Sequence, residues 1–212
     1  MTEKTAQKEP GKKPVPSKKP KPQQEVVVQI PLSELHPFPD HPFQVREDAS
    51  MQETAESVKE YGVLVPALAR PREDGGYELI AGHRRKHACE LAGLATMPVI
   101  VRDIDRDAAT IIMVDSNLQR ENILPSERAK AYKMKMEAIK RQGARTDLTS
   151  PKISAKFRSD DEVGQDAGVS GDTIRNYIAL TQLVPELQQM VDEKKIALSP
   201  AYQLAALTPK EQ

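Results

Sequence analysis

The sequence predicts an α+β fold, with a small mixed α/β unit followed by an all-helical unit. Three observations carry this expectation. Short β-branched runs and a Gly-Gly turn are confined to the first half of the chain. From about residue 107 onward, apolar residues recur at helical spacing. A length of 212 residues suits one or two small domains, each with its own core.

Residues 1–24 hold Pro10, Pro14, Pro16, Pro20 and Pro22, with lysine pairs at Lys12-Lys13 and Lys18-Lys19. Such a segment buries too little apolar area to offset chain entropy, so a disordered basic tail is expected. It serves as a solubilising linker, a phosphate-binding arm or a docking segment for a partner. Glu25 to Ile30 is a β-branched strand, and Pro31 to Leu35 a short helical turn. His36 to Asp48 is a proline-broken loop. Met51 to Tyr61 has helical spacing at Ala55, Val58 and Tyr61, with Gly62 as its stop. Val65 to Arg70 and Tyr77 to Ala81 form a hairpin about the turn Asp74-Gly75-Gly76. A helix from His83 to Ala92 stops at Gly93, and Met97 to Arg102 is a further strand.

The second half is helical. Asp107 to Asn117 carries Ile111, Ile112 and Val114, with Leu118 just beyond. Pro125 opens the next helix, with Ser126 and Glu127 in its first turn. Tyr132, Met136 and Ile139 make its apolar face, and it runs to about Gln142. Residues 143–158 are read as a linker, followed by short helices. The expected organisation is a tail at 1–24, an α/β domain at 25–120 and a helical domain at 121–212.

Lysine plus arginine and aspartate plus glutamate each number 31, for a formal net charge of zero. That excludes a uniformly basic nucleic-acid binder but leaves room for a local basic patch. One cysteine, Cys89, excludes an intrachain disulfide and fits a reducing compartment. It is read as a small core residue. No run approaches the roughly 18 apolar residues of a membrane span, and the N-terminus lacks an apolar signal region. A soluble, cytoplasmic chain without a membrane partner is expected.

Two stretches carry chemistry. In "LIAGHRRKHACELAG" a strand meets Gly82 and then a helix opens on His83, Arg84 and Arg85. Free N–H groups at a helix start and the helix dipole favour an anion. Glycine permits close approach, and paired guanidinium forks match phosphate oxygens. The pattern points to a phosphate-bearing ligand, nucleotide or nucleic acid. The competing reading makes Arg84 and Arg85 solvated helix residues and gives Gly82 to the turn alone. A P-loop motif is missing. His83 and His87 are spaced to share a metal, but no third ligand is evident.

The second stretch is "SDDEVGQDAGVSGDTIRNYIAL", residues 159–180. Val163 starts an apolar pattern, Gly164 allows a close helix crossing and Gly168 makes the tight turn. Val169 plugs the core, and Ser170 caps a second helix whose apolar face is Ile174, Tyr177 and Ile178. This spacing predicts a helix-turn-helix. Its exposed candidates are Gly171, Asp172, Thr173, Arg175 and Asn176, with Ser170 and Thr173 also suited to phosphate. Asp172 opposes close phosphate contact.

Taken together, these segments resemble the ParB family of chromosome and plasmid partition proteins. "IPLSELHPFPDHPFQVRED" is similar to the family's first box. "ELIAGHRRKHACELAGLATMPVIVRD" resembles its central box, and "DSNLQRENILPSERAKAY" its third. "LVPELQQMVDEKKIALSPAYQLAAL" resembles its closing helices.

The resemblance implies binding of double-stranded DNA at a centromere-like site and CTP binding as a switch. With CTP, two subunits of a homodimer close into a sliding clamp. It also implies stimulation of a ParA-type ATPase by the basic N-terminal tail, and a nucleoid- or plasmid-associated location in a bacterial cytoplasm. By motif position, Gly82, His83, Arg84 and Arg85 would hold the triphosphate, with Gln44 and Arg46 lining the pocket. Asn117 and Arg120 would help with phosphate or Mg2+, Asn117 being the metal candidate.

The chain departs from the family pattern in places. His83 replaces a usual glutamate and Ser116 a usual acidic residue. Asp115 is adjacent to Ser116 but points about 100° away on a helix. CTP binding is therefore expected, while weak CTP hydrolysis stays open. Gly171 and Asp172 depart from a recognition helix that usually carries arginine after the capping serine, which favours a plasmid or mobile-element DNA site. Ending at Gln212, the chain lacks the family's usual C-terminal dimerisation domain, through truncation or through dimerisation by the nucleotide domain. The alternatives are a helix-turn-helix regulator without nucleotide switching, or an enzyme such as a nuclease on the same fold. Sulfiredoxin-like chemistry would need a cysteine where Gly82 stands.

Overall fold

The computed structural model describes residues 26–120, 122–146 and 159–212. The N-terminal tail and residues 147–158 of the expected linker lie outside that range. In order, the elements are β1 (Val27–Pro31), β2 (Leu35–Pro37), α1 (Ala49–Tyr61), β3 (Ala67–Pro71), β4 (Tyr77–Ala81), α2 (His83–Leu91), β5 (Thr96–Val101) and α3 (Arg106–Leu118). Then come α4 (Pro125–Thr146), α5 (Ser159–Ala167), α6 (Gly171–Ala179), α7 (Pro185–Asp192) and α8 (Leu198–Leu204). The architecture is mixed sheet first and helices after, as the sequence predicts.

The sheet has the order β1-β5-β3-β4-β2. β3 and β4 are the expected antiparallel hairpin, with Arg70 opposite Glu78. Their side chains form an ion pair of 2.5 Å with Glu78 nearly buried. Gly75 and Gly76 turn the hairpin at φ 91° and 69°, a region open to glycine at little cost. β5 returns parallel to β3, so α2 is the crossover helix.

Successive strand residues point to opposite faces, and β4 shows the result. Leu79 joins a core with Met51 and Val58 of α1 and Ala88 and Cys89 of α2. Ile80 joins another with Phe38, Phe43, Met113 and Val114 of α3, and Ala131 of α4. The sheet is thus covered on both sides. α4 also carries Tyr132, which packs on Val163 and Ile174, and Ala129, which packs on Leu180, Leu183 and Val191. Among the described residues no helix is long and apolar enough to cross a membrane.

Several expectations need correction. The proline-broken loop begins with β2, which pairs in parallel with β4. Tyr61 is 63% exposed, so Met51 and Val58, not Tyr61, anchor α1. The stretch 143–146 continues α4 rather than starting a linker. Val169 is exposed and plugs no core. That place is filled by Ile174, because the turn swings residue 169 outward while α6 faces inward.

Candidate functional site

The junction after β4 is built around Gly82. Its φ of 112° is left-handed, and a Cβ there would lie 2.8 Å from the Cβ of Ala67. Among the described residues no side chain caps α2, which leaves its first N–H groups uncapped beside Arg84 and Arg85. The two arginines differ. Arg84 donates to Ser50 Oγ at 3.2 Å and lies 3.5 Å from Asp48. Arg85 Nη1 donates to the carbonyls of Val65 and Pro66, both at 2.6 Å. Burial pulls the Arg85 guanidinium below its ordinary pKa.

Two adjoining cavities open at this junction, of about 200 Å³ and 400 Å³. Gln44, Arg84 and Arg120 line both. The smaller adds Gly82, His83, Arg85 and Asn117, and the larger adds Arg46. The residues singled out from the three sequence boxes are therefore brought together in one cleft. Four arginines (Arg46, Arg84, Arg85 and Arg120) give it a cationic wall.

The cleft also holds residues that sequence reasoning did not single out. His41 packs against His83 with ring centroids 4.0 Å apart and the rings tilted by 47°. Burial, then His41 and Lys86, push the His83 imidazole down to about 3. Burial also lowers His41. Glu127 is nearly buried and accepts from the N–H groups of Gln44 (3.0 Å) and Leu124 (3.2 Å). It fixes the first box against the start of α4. Its position in the first turn of α4 was visible in the sequence, but its partner was not.

Ser116 and Asn117 line the smaller cavity from α3. Asn117 Nδ2 donates to the Met113 carbonyl at 2.8 Å, which leaves its side-chain oxygen as an acceptor. Asp115 points elsewhere, to Lys135 Nζ at 2.6 Å. Lys135 is 1% exposed and also meets Asp166 of α5 at 2.8 Å. Burial pulls the Lys135 ammonium down, and its bonds to the two aspartates outweigh that and raise it.

The helix-turn-helix is formed by α5 and α6. Gly164 lets them cross, since a Cβ there would sit 2.6 Å from the Val169 carbonyl oxygen. Gly168 turns at φ 69°. Ser170 Oγ accepts from the Thr173 N–H at 3.2 Å, the predicted cap. Ser170 and Asn176 are exposed and Thr173 half-buried. Gly171, expected among the exposed candidates, is instead buried against Asp161. Arg175 is held by Asp160 and Asp172, and these bonds, that to Asp160 first, raise its pKa. An arginine so paired must release aspartates before it reads a base.

The combination defines a class: a helix-turn-helix protein with a separate arginine-walled cleft in a mixed α/β domain. The ParB N-terminal domain family matches residues 16–118, and the ParB HTH domain family matches residues 151–212. The chain belongs to the ParB family. It is 35% identical to the chromosome-partitioning protein Spo0J of Thermus thermophilus, over 88% of this chain and 62% of that protein. It is 37% identical to the probable chromosome-partitioning protein ParB of Treponema pallidum, over 75% of this chain and 44% of that protein. The chain thus spans about half the length of the curated relatives it matches. A C-terminally truncated ParB from Caulobacter crescentus, solved in complex with the centromeric parS site, superposes with a TM-score of 0.55. The two are 27% identical, over 87% of this chain and 88% of that one.

Proposed function

We propose that this chain is a DNA-binding partition protein whose N-terminal domain binds CTP with Mg2+ and uses it as a switch. The observation that carries this reading is the convergence of the three sequence boxes on one cleft with four arginines. A polyphosphate fits such a wall, because guanidinium groups and uncapped helix N–H groups both seek anionic oxygens. The Asn117 oxygen and the Ser116 hydroxyl suit a hard cation, which takes oxygen ligands. Bound Mg2+ would neutralise charge shared between phosphate oxygens. The choice of CTP rests on the family resemblance.

DNA is bound through α6, with Ser170 and Thr173 on phosphate and Arg175 and Asn176 on base edges. The Caulobacter neighbour, solved with parS, supports a centromere-like site. In the same reading two copies close as a homodimeric clamp, and the lysine-rich N-terminal segment stimulates a ParA-type ATPase. The protein then acts in the bacterial cytoplasm, on nucleoid or plasmid DNA.

Ser116 supplies no carboxylate where the family usually has one, and Asp115 is committed to Lys135. The cleft is built for binding, with hydrolysis weak. The test is equilibrium binding of CTP, ATP, GTP and UTP, with magnesium, to the wild type and Arg84→Ala. Selective CTP binding that falls more than tenfold in the variant is expected. No nucleotide binding by the wild type would refute the reading.

A further inference from the structure

The chain as a whole carries no net charge, yet α4 does not share that balance. It reads PSERAKAYKMKMEAIKRQGART, with seven basic residues against two acids. Two arcs of this helix are buried. Tyr132 packs on Val163 and Ile174 of the helix-turn-helix, and Ala131 on Met113 and Val114 of α3. Glu127 and Lys135 are buried with them. At about 100° per residue, Lys130, Lys133, Glu137, Lys140 and Arg141 share one arc about 100° wide that faces neither neighbour. Lys133 is half-buried and the other four are exposed. Arg141 is held by Asp107 at 2.8 Å. Among the described residues, Lys130, Lys133 and Lys140 have no hydrogen-bond or ion-pair partner.

Three lysines without counter-ions on one rigid face repel one another until an anion lies along them. Lys130 and Lys140 are about 15 Å apart along the axis, at about 1.5 Å per residue. One strand of duplex DNA presents a phosphate about every 3.4 Å, so about four fit that length. Compact ammonium groups on flexible stems suit such a row, which asks for charge and not for forked geometry. DNA is also the polyanion this domain brings close. α4 packs directly on α6, whose Tyr177 ring lies 5.6 Å from the Arg128 guanidinium. Lys133 and Lys140 border the arc of Ala129, Tyr132 and Met136 that faces the C-terminal helices. A duplex held by α6 is therefore at high effective concentration beside the lysines. We propose that the outer face of α4 is a second, sequence-independent DNA surface, with Lys130, Lys133 and Lys140 on backbone phosphates. α6 reads bases, while α4 adds affinity and fixes register. The proposal rests on DNA binding by the helix-turn-helix and is independent of the nucleotide cleft.

The experiment measures binding of the full chain to a random-sequence DNA duplex by fluorescence anisotropy, from about 50 to 200 mM NaCl. One variant carries Lys130→Gln, Lys133→Gln and Lys140→Gln together. A control carries Lys59→Gln and Lys210→Gln, two exposed lysines of α1 and of the segment after α8. A third carries Glu137→Lys, which removes the acid on the outer face. Each phosphate contact contributes about 0.9 to the fall of log affinity with log salt. The triple variant should lower that slope by about 2.7, so its affinity falls roughly 40-fold less over this range of salt. The control should keep the wild-type slope. Glu137→Lys should bind more tightly and steepen the slope by about 0.9. All three should melt within about 2 °C of the wild type, as surface changes do.

The proposal is overturned if the triple variant keeps the wild-type slope, or if the control loses as much slope per lysine. It is also overturned if Glu137→Lys binds no more tightly, because the phosphates then pass elsewhere. A face that serves an acidic protein or an anionic membrane instead gives the first of these results. A wild type that binds no duplex at any of these salt concentrations removes the DNA reading itself, and this proposal with it. That outcome differs from a DNA binder indifferent to α4.

Discussion

Replacing Gly164 with alanine tests the helix-turn-helix at its tightest point. The new Cβ would lie 2.6 Å from the Val169 carbonyl oxygen, 3.2 Å from Ser170 C and 3.2 Å from Gly171 N. All three are backbone atoms, so no flexible side chain can swing away. Relief requires α5 and α6 to separate, which stretches the 2.9 Å bond from the Val169 N–H to the Gly164 carbonyl. Overpacking of this kind costs about 1–3 kcal/mol. Alanine returns about 1 kcal/mol of helix propensity. The net loss is about 0–2 kcal/mol, or up to roughly 8 °C in Tm. Gly143 is the control, because it lies in α4 with no described atom within 4 Å of an added Cβ. Gly143→Ala should gain about 1 kcal/mol. Thermal and urea unfolding followed by circular dichroism measure both. A Gly164→Ala protein that gains as much stability as Gly143→Ala would refute the packing argument.

Lys135 and His83 give two further predictions. Lys135→Ala should lose about 2–3 kcal/mol, mainly through the cavity left by the stem, because Asp115 and Asp166 are half-exposed and rehydrate. Lys135→Met refills that volume and should stay within about 1 kcal/mol of the wild type in urea unfolding; equal losses would show that the ion pairs, not the packing, hold α3 to α5. His83, pushed down to about 3 in the folded chain, is protonated below about 6.5 when unfolded. The unfolded state then binds more protons, so stability is full above pH 6.5 and falls by up to about 1.4 kcal/mol per unit as pH drops towards 3. His83→Phe should flatten that fall between pH 7 and 5, and an unchanged slope would remove the buried neutral imidazole from the account.

What the sequence made legible was local. The hairpin about Asp74–Gly76 and the Gly164, Gly168 and Ser170 spacing of the helix-turn-helix are set by residues close in the chain. β2 was missed because its partner, β4, is distant, and because Pro37 and Pro39 mimic a plain loop. His41 carried no signal, since its meaning comes from a ring on α2. Lys135 falls between Tyr132 and Ile139 on the inward face of α4, yet the sequence reading did not single it out, since a lysine is ordinarily a surface residue. Only the arrival of Asp115 and Asp166 from other helices makes a buried ammonium tolerable there.

The two arginines after Gly82 look equivalent in sequence, and the structure separates them. Arg85 spends its donors on the Val65 and Pro66 carbonyls, where the chain enters β3. It staples that entry to the start of α2, next to the contact that forces residue 82 to be glycine. Among the described residues, Arg84 meets Ser50 and Asp48, at the start of α1, and it lines both cavities. An anion competes easily for Arg84, since an exposed contact to a serine and a carboxylate is worth about 1 kcal/mol or less. It competes poorly for Arg85, whose release would leave two carbonyls without their donor. Arg84→Ala should therefore cost nucleotide affinity and leave the melting temperature within about 2 °C, the scale of a surface change. Arg85→Ala should lower the melting temperature by more than that with no ligand present, and Arg85→Lys should restore little, because one ammonium lacks the planar fork. Melting both variants with and without CTP separates the roles. If Arg84→Ala is the less stable protein without ligand, the assignment of staple and phosphate hand is reversed.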